Sequence, residues 1–434
     1  MSARDDGALA SGIAKARRRL VPFLVLMFTL AYLDRTNVGL AEQQFRADTG
    51  VSEGAFALGA GIFFVGYAVL EVPSNLLLRR VGARRWLARI MVSWGVVAAG
   101  ACLARGDWSF WAQRVLLGVA EAGFFPGVVL YLATWFPRAE RGRVIGTFYF
   151  GLPLALVLGS PVGGALLALD GALGLHGWQW LFLVEGALAS AVGVAALFVL
   201  VDRPEDAPWL GADEARALSD AAASEESAKE QAGAASLGRA FTDPVMLLLI
   251  ALYTLIQVGS YGLAFSLPTT IATLLGVKVG PLVGLVSAGP WGVALLAMAV
   301  LPDRAVRSGR ERITVAALLA AAAAGLALAA ALPPLPAILA LSVTAAGITA
   351  AQPIVWTFPT TRLGGAAAAG GIALISSVGN LGGFAAPNLR VLAERAFGTP
   401  AAGFDVLAGA AALAAGIVLL VPRRRGDAPD RVAR

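Results

Sequence analysis

The chain has 434 residues, 58% hydrophobic and 14% charged, with a formal net charge of +6. Soluble domains carry about 25% charged residues, so this composition and the mean hydropathy of +0.74 exclude a soluble globular protein and indicate a bilayer-embedded one. The positive charge does not point to nucleic acid, because the arginines sit in short loops between long apolar runs, the pattern that membrane topology produces.

Twelve helical spans are predicted, each near the length that crosses a bilayer. The first, over 20–41, holds Tyr32, Asp34 and Arg35; the basic segment Lys15 to Arg19 leads into it with no small-residue cleavage site, so no cleavable signal is expected. The second (55–78) holds Tyr67 and Glu71, and the third covers 86–105. The fourth (109–134) holds Arg114 and Glu121, the fifth is 143–168, and the sixth (179–201) holds Glu185. One long hydrophilic segment follows, Asp202 to Thr242, with a surface helix expected over Asp213 to Gln231. The seventh span (244–274) holds Gln257 and Tyr261; the eighth and ninth are 280–301 and 312–332. The tenth (335–358) holds Gln352 and Trp356, the eleventh (365–389) Ser376 and Asn380, and the twelfth is 402–421. Trp86 and Trp135 are expected as interfacial anchors. The expected fold is an all-α membrane protein: twelve transmembrane helices in two pseudo-symmetric six-helix bundles, 1–201 and 243–434, joined by the loop 202–242.

Orientation follows from the basic residues. Of 34 Lys and Arg, 27 fall on the side of the termini, 5 on the other, and two, Arg35 and Arg114, inside spans. That asymmetry predicts both termini in the cytoplasm.

The ionisable residues inside spans carry the functional reading. A charge at the centre of a lone membrane helix costs roughly 3 kcal/mol, so such groups usually face a polar cavity or one another. Arg114 and Glu121 are seven residues apart, within roughly 20° of one helix face and about 10 Å along the axis, so they can line one cavity. Two arginines suit an anion, and Asp34 and Glu121 can take up protons. With both acids ionised the four charges cancel; with both protonated the site carries two positive charges and attracts an anion. A structural network that merely neutralises itself is the alternative. Glu71 and Glu185 read as structural. Tyr32, Tyr67, Gln257, Tyr261, Gln352, Trp356, Ser376 and Asn380 are candidate ligand contacts, with helix-packing hydrogen bonds as the alternative. Pro126, Pro153, Pro161, Pro268, Pro353, Pro359 and Pro387 mark places where spans can kink or break. An enzyme is not expected. The sole histidine, His176, lies in a loop, Cys102 stands alone in span three, and neither a nucleophile dyad nor a metal set is present.

An ordered set of segments resembles the major facilitator superfamily and, within it, the anion:cation symporter family. It runs from Tyr32-Leu33-Asp34-Arg35-Thr36-Asn37 through Glu71-Val72-Pro73-Ser74-Asn75 and Gly82-Ala83-Arg84-Arg85 to the span-four stretch Arg114 to Gly127. Trp135-Phe136-Pro137, Gly177 to Phe182, Tyr261-Gly262 with Leu267-Pro268-Thr269, and Gly379 to Phe384 complete it. The resemblance implies a secondary transporter that imports a small organic anion, such as a sugar acid, tartrate or an aromatic carboxylate, with protons by alternating access. Asp34 and Glu121 then correspond to the proton-coupling carboxylates, and Arg35 and Arg114 to the groups that handle the anion, Arg114 being the firmer contact. It implies a multi-pass monomer of the bacterial inner membrane, with the bilayer and the anion as its partners and the proton, in place of any cofactor, as coupling ion. A proton-driven efflux antiporter of the same superfamily is the alternative. The chain departs from the family pattern at Arg79, where an acid usually stands, at Ser376-Ser377, and at Ser266, where a Trp is common.

Overall fold

The computed structural model of the chain describes residues 3–231, 244–362 and 365–422. Among the described residues there is no strand, and 11 stretches are long and apolar enough to cross a membrane. They correspond to the predicted spans except the eleventh, which is divided into Gly365–Asn380 and Gly382–Phe397, each too short to cross by itself. Span one is longer than predicted, Ala3–Thr49, because good helix formers continue it well before the membrane run.

Among the described residues four spans are broken, and they are the fourth and fifth of each half. Span four is Gly106–Glu121 then Phe124–Trp135, and span five is Arg138–Tyr149 then Gly151–Leu167. Span ten is Pro334–Val355 then Thr357–Arg362. Three of the four breaks share a cause. Pro126, Pro153 and Pro359 lack an N–H, and their rings clash with the carbonyl four residues back, at Ala122, Tyr149 and Val355. In span four Gly123 absorbs the turn at φ 85°, a left-handed conformation that glycine adopts without steric cost. Span eleven has Gly382-Gly383 at its break. The breaks place Glu121, Tyr149 and Asn380 each at the last position of a helix, the discontinuous-helix device by which transporters build sites at mid-membrane.

The face opposite the termini is closed by tight contact between the halves. A Cβ on Gly284 of span eight (Pro281–Arg307) would lie 2.2 Å from the Ser160 carbonyl oxygen in span five, and one on Gly164 would lie 2.7 Å from the Gly280 carbonyl oxygen. Only hydrogen side chains let these backbones meet.

On the face of the termini, the expected surface helix is present as Ala212–Gln231. It docks on the extension of span one: Ser11 Oγ donates to Glu214 Oε1 at 2.6 Å and Lys15 Nζ to Glu214 Oε2 at 2.8 Å. These two donors, with the Gly211 N–H, hold the Glu214 carboxyl down at about 2. Trp209, just before this helix, stacks on Trp135 at 5.4 Å between ring centroids and lies under the Arg19 guanidinium. Trp135 is therefore fully buried rather than an interfacial anchor, because the linker covers it. Trp86 is likewise bound to protein, its Nε1 donating to Ser74 Oγ at 3.0 Å with the Arg89 guanidinium 4.0 Å above its ring. The loop after span two, which lacks an acid at Arg79, borrows one from beyond span six: Asp202 accepts from the Arg84 N–H at 2.8 Å. His176 is half-exposed as expected, and it also caps span six (Gly177–Val199) and pairs with Asp48 at 3.1 Å.

Candidate functional site

Six residues at helical spacing on two spans build opposite walls of a cavity between the halves. Phe28, Tyr32 and Arg35 recur every three to four residues along span one; Tyr253, Gln257 and Tyr261 recur every four along span seven (Pro244–Leu275). Tyr67 joins from span two (Glu53–Val81), and Phe125, Tyr149 and Leu152 from the broken ends of spans four and five. Gln352, Ser376 and Asn380, beside the breaks of spans ten and eleven, complete it. Along span one the lining residues run from Arg35 toward the N-terminus, so the cavity lies on the termini side of Arg35.

Arg35 is the electrostatic centre. Its Nε donates to Glu121 Oε1 at 2.7 Å, and Nη2 pairs with the same oxygen. Nη1 donates to the Tyr261 hydroxyl at 3.4 Å, which ties the N-terminal half to the C-terminal half. The guanidinium also lies 4.8 Å from the centroid of the Tyr67 ring, a cation–π contact strengthened by desolvation. Glu121 is fully buried at a helix C-terminus. There the helix dipole disfavours a carboxylate, so Arg35 is its compensation. The other oxygen, Oε2, has no hydrogen-bond partner.

The opposite wall is neutral and polar. Gln257 Nε2 donates to Asn380 Oδ1 at 3.2 Å, and Asn380 Nδ2 reaches Ser376 Oγ at 3.5 Å. Gln257 Oε1 and Gln352 Nε2 are buried without a partner. Buried polar groups left unpaired are uncommon and costly, so the wall offers one acceptor and one donor to a ligand. Tyr32 and Tyr261 stack at 5.9 Å and form a second, aromatic surface.

The structure thus brings together eight of the predicted site residues: Tyr32, Arg35, Tyr67, Gln257, Tyr261, Gln352, Ser376 and Asn380. Glu121 joins them through Arg35. Asp34 and Arg114 do not line this cavity. Arg114 is buried behind it, its Nε donating to the Gly59 carbonyl at 3.3 Å and its guanidinium 5.1 Å from the Phe63 ring centroid. Asp34 is within electrostatic reach of Glu121, Arg114 and Arg35, and its Oδ2 has no hydrogen-bond partner. Of the two arginines, Arg35 reaches this cavity and Arg114 does not; on span one, the one-residue step from Asp34 turns Arg35 about 100° from that acid. Trp356 also stands outside the lining, packed on Tyr253 at 4.8 Å between ring centroids. Tyr149 and Tyr253 were missed by sequence reasoning. The four-residue spacing of Tyr253, Gln257 and Tyr261 was a usable signal; Tyr149 had none, since only the break after it turns it inward. Glu71 and Glu185, read as structural, both accept side-chain hydrogen bonds, from Ser377 of span eleven and from Asn37 of span one.

Comparisons with known proteins agree with this architecture. The inner membrane transport protein RhmT of Escherichia coli (strain K12) is 44% identical over 98% of this chain and 99% of its own length. A putative tartrate transporter of Agrobacterium vitis is 41% identical over 97% of each chain. A crystal structure of a bacterial homolog to the human lysosomal transporter Spinster matches the fold with a TM-score of 0.70 at 18% identity, covering 93% of this chain and 94% of that one. A family model described as the Major Facilitator Superfamily matches residues 24–387. With helical spans broken around a cavity between the halves, the chain is a multi-pass membrane transporter that belongs to the Major Facilitator Superfamily.

Proposed function

We propose that the chain imports a small organic anion together with protons by alternating access. The observation that carries this reading is the buried Arg35–Glu121 pair at the cavity wall. Glu121 is itself an anion held by the guanidinium that an incoming carboxylate needs. Protonating it frees the Arg35 fork for bidentate recognition of substrate, and returning the proton expels the substrate by competition. Asp34 and Arg114, one layer behind, adjust the charge of the pair; with all four ionised the set is neutral. Gln257, Gln352, Ser376 and Asn380 take the remaining polar atoms of the anion, and Tyr32 and Tyr261 flank it. The two bundles, 1–201 and 243–434, rock about the site, with 202–242 as their connection. The protein works as a monomer in a bacterial inner membrane with both termini in the cytoplasm, which makes the described state closed on the outside.

Efflux of a cation by proton antiport fits poorly, because a cation entering the cavity meets Arg35. Relatives named for tartrate transport support the anion reading. A thermal-stabilisation screen of the purified chain against organic acids at mildly acidic pH tests it. A ligand that binds the native state raises the midpoint in a concentration-dependent way; the reading predicts hits among carboxylates, and a screen in which only organic cations stabilise would overturn it.

A further inference from the structure

A second cavity lies on the other side of Arg35. Its lining includes Thr36, Asn37 and Leu40 of span one, Ser160 of span five, Pro268 of span seven and Trp291 of span eight. Along span one these residues run away from the termini, so this cavity and the substrate cavity are separated by the level of Asp34 and Arg35. Asn37 faces the second cavity and also donates its Nδ2 to Glu185 Oε2 of span six. Glu185 is buried, and its other oxygen, Oε1, has no hydrogen-bond partner. On span one Asn37 follows Asp34 by three residues, about 4.5 Å along the axis and about 60° round it. Asp34 carries an equally buried oxygen, Oδ2, that has no hydrogen-bond partner.

Of the elements packed on span six, span one carries the buried cation Arg35, which is paired with Glu121; the others place no cation beside Glu185. Residues 151–167 of span five contain no ionisable residue. Span three meets span six through the apolar residues Met91, Val92, Gly95 and Ala99; its arginines lie toward the other end, where Arg84 reaches the Leu197 carbonyl. Cys102, whose carbonyl accepts from Gln179, sits nearer the start of span six. A buried acid bonded to an amide rather than to a cation, with one free oxygen, that amide leading to a polar-lined cavity and a second buried acid, Asp34, one turn from the amide, is poorly explained as packing. Intramembrane carboxylates in such chains mark proton relays.

We propose that Glu185 is a third proton-exchanging carboxylate, loaded from the second cavity past Asn37 and in exchange with Asp34. The step balances as a simple proton transfer: the O–H bond at Glu185 Oε1 breaks, its electron pair stays on that oxygen, and the proton bonds Asp34 Oδ2 through water drawn from the cavity. Asn37 is the positioning residue. This assignment rests on the proton-coupled reading of the site.

Infrared difference titration of the reconstituted protein from mildly alkaline to mildly acidic pH tests it without any substrate. The wild type is expected to show protonated-carboxyl bands that grow as pH falls and shift at once in D2O. Glu185→Gln removes one component; Asp34→Asn removes another and moves the midpoint of the Glu185 component. Asn37→Leu, which leaves Glu185 in place, shifts that component and covers the case in which Glu185→Gln does not fold. A wild-type spectrum unchanged by Glu185→Gln, or a Glu185 component that is pH-invariant or slow to exchange, would overturn the proposal. Loss of the Glu185 component alone, with Asp34→Asn silent, would instead count against the role of Asp34 and leave Glu185 as a titrating group.

Discussion

Substituting Glu121 by glutamine keeps an oxygen beside Arg35 and removes the charge. In the native chain Arg35 Nε and Nη2 both converge on Glu121 Oε1, with the Nε contact at 2.7 Å. The amide oxygen of glutamine can still accept from that fork, so the geometry survives. The competition does not. A substrate carboxylate docked on Arg35 stands roughly 6 Å from the Glu121 charge, and two like charges at that distance repel by about 3 kcal/mol at an effective dielectric of about 20. That repulsion amounts to about a hundredfold in Kd. Wild-type affinity for the anion therefore rises as pH falls and Glu121 takes up its proton. Glu121→Gln binds at high pH about as tightly as the wild type does at low pH, with a flattened pH profile. It loses gradient-driven accumulation while keeping counterflow exchange, which moves no net proton. Titration calorimetry with tartrate, or with the anion the screen identifies, at pH 8 and pH 5.5 decides it. A variant that binds more weakly at high pH, or that retains the full pH dependence, would refute the competition argument.

Three further outcomes are expected. Arg35→Lys keeps the charge but loses the donor fork, and charge-assisted bonds of this kind are worth about 1.5–3 kcal/mol, so anion affinity falls about tenfold to a hundredfold; Arg114→Lys, behind the cavity, changes it far less, and equal losses in the two would return Arg114 to the binding wall. Gly284→Ala places a methyl 2.2 Å from the Ser160 carbonyl oxygen, which props open the face opposite the termini; in a Cys102→Ala background a cysteine at Leu40 should then react faster with maleimide, and an unchanged rate would show that this contact does not hold the closed state. Glu214 has its carboxyl depressed from 4.5 to about 2 by Lys15, Ser11 and the Gly211 N–H, so its contribution to linker docking is complete above 4.5 and is lost as pH falls through about 2. Glu214→Gln should loosen residues 11–19 at neutral pH in hydrogen exchange, and protection equal to wild type would contradict the docking role.

The twelve spans were legible because a run of about 20 apolar residues is a strong signal that neighbouring structure does not alter. The breaks were half legible. Proline marks where a helix can fail, yet Pro161, Pro268 and Pro353 sit inside unbroken helices while Pro126, Pro153 and Pro359 begin new ones. Neighbouring spans can re-satisfy a backbone group that proline frees, and sequence does not display where they do. Among the candidate site residues, side-chain chemistry singled out Arg35 and Glu121, but which arginine meets the cavity depended on the rotation of span one against span four. Trp135 shows the same limit: an aromatic at a span end reads as an interfacial anchor until a linker residue more than 70 positions away, Trp209, covers it.

Proton coupling to anion uptake is the central claim. Its most direct measurement is uptake of radiolabelled tartrate, or of the anion the screen identifies, into proteoliposomes of the purified chain, with a pH-sensitive dye trapped inside. The account predicts that an acidic exterior drives accumulation above the external concentration and acidifies the lumen in step with it. Extrusion driven by the same gradient, or accumulation without proton movement, would contradict it.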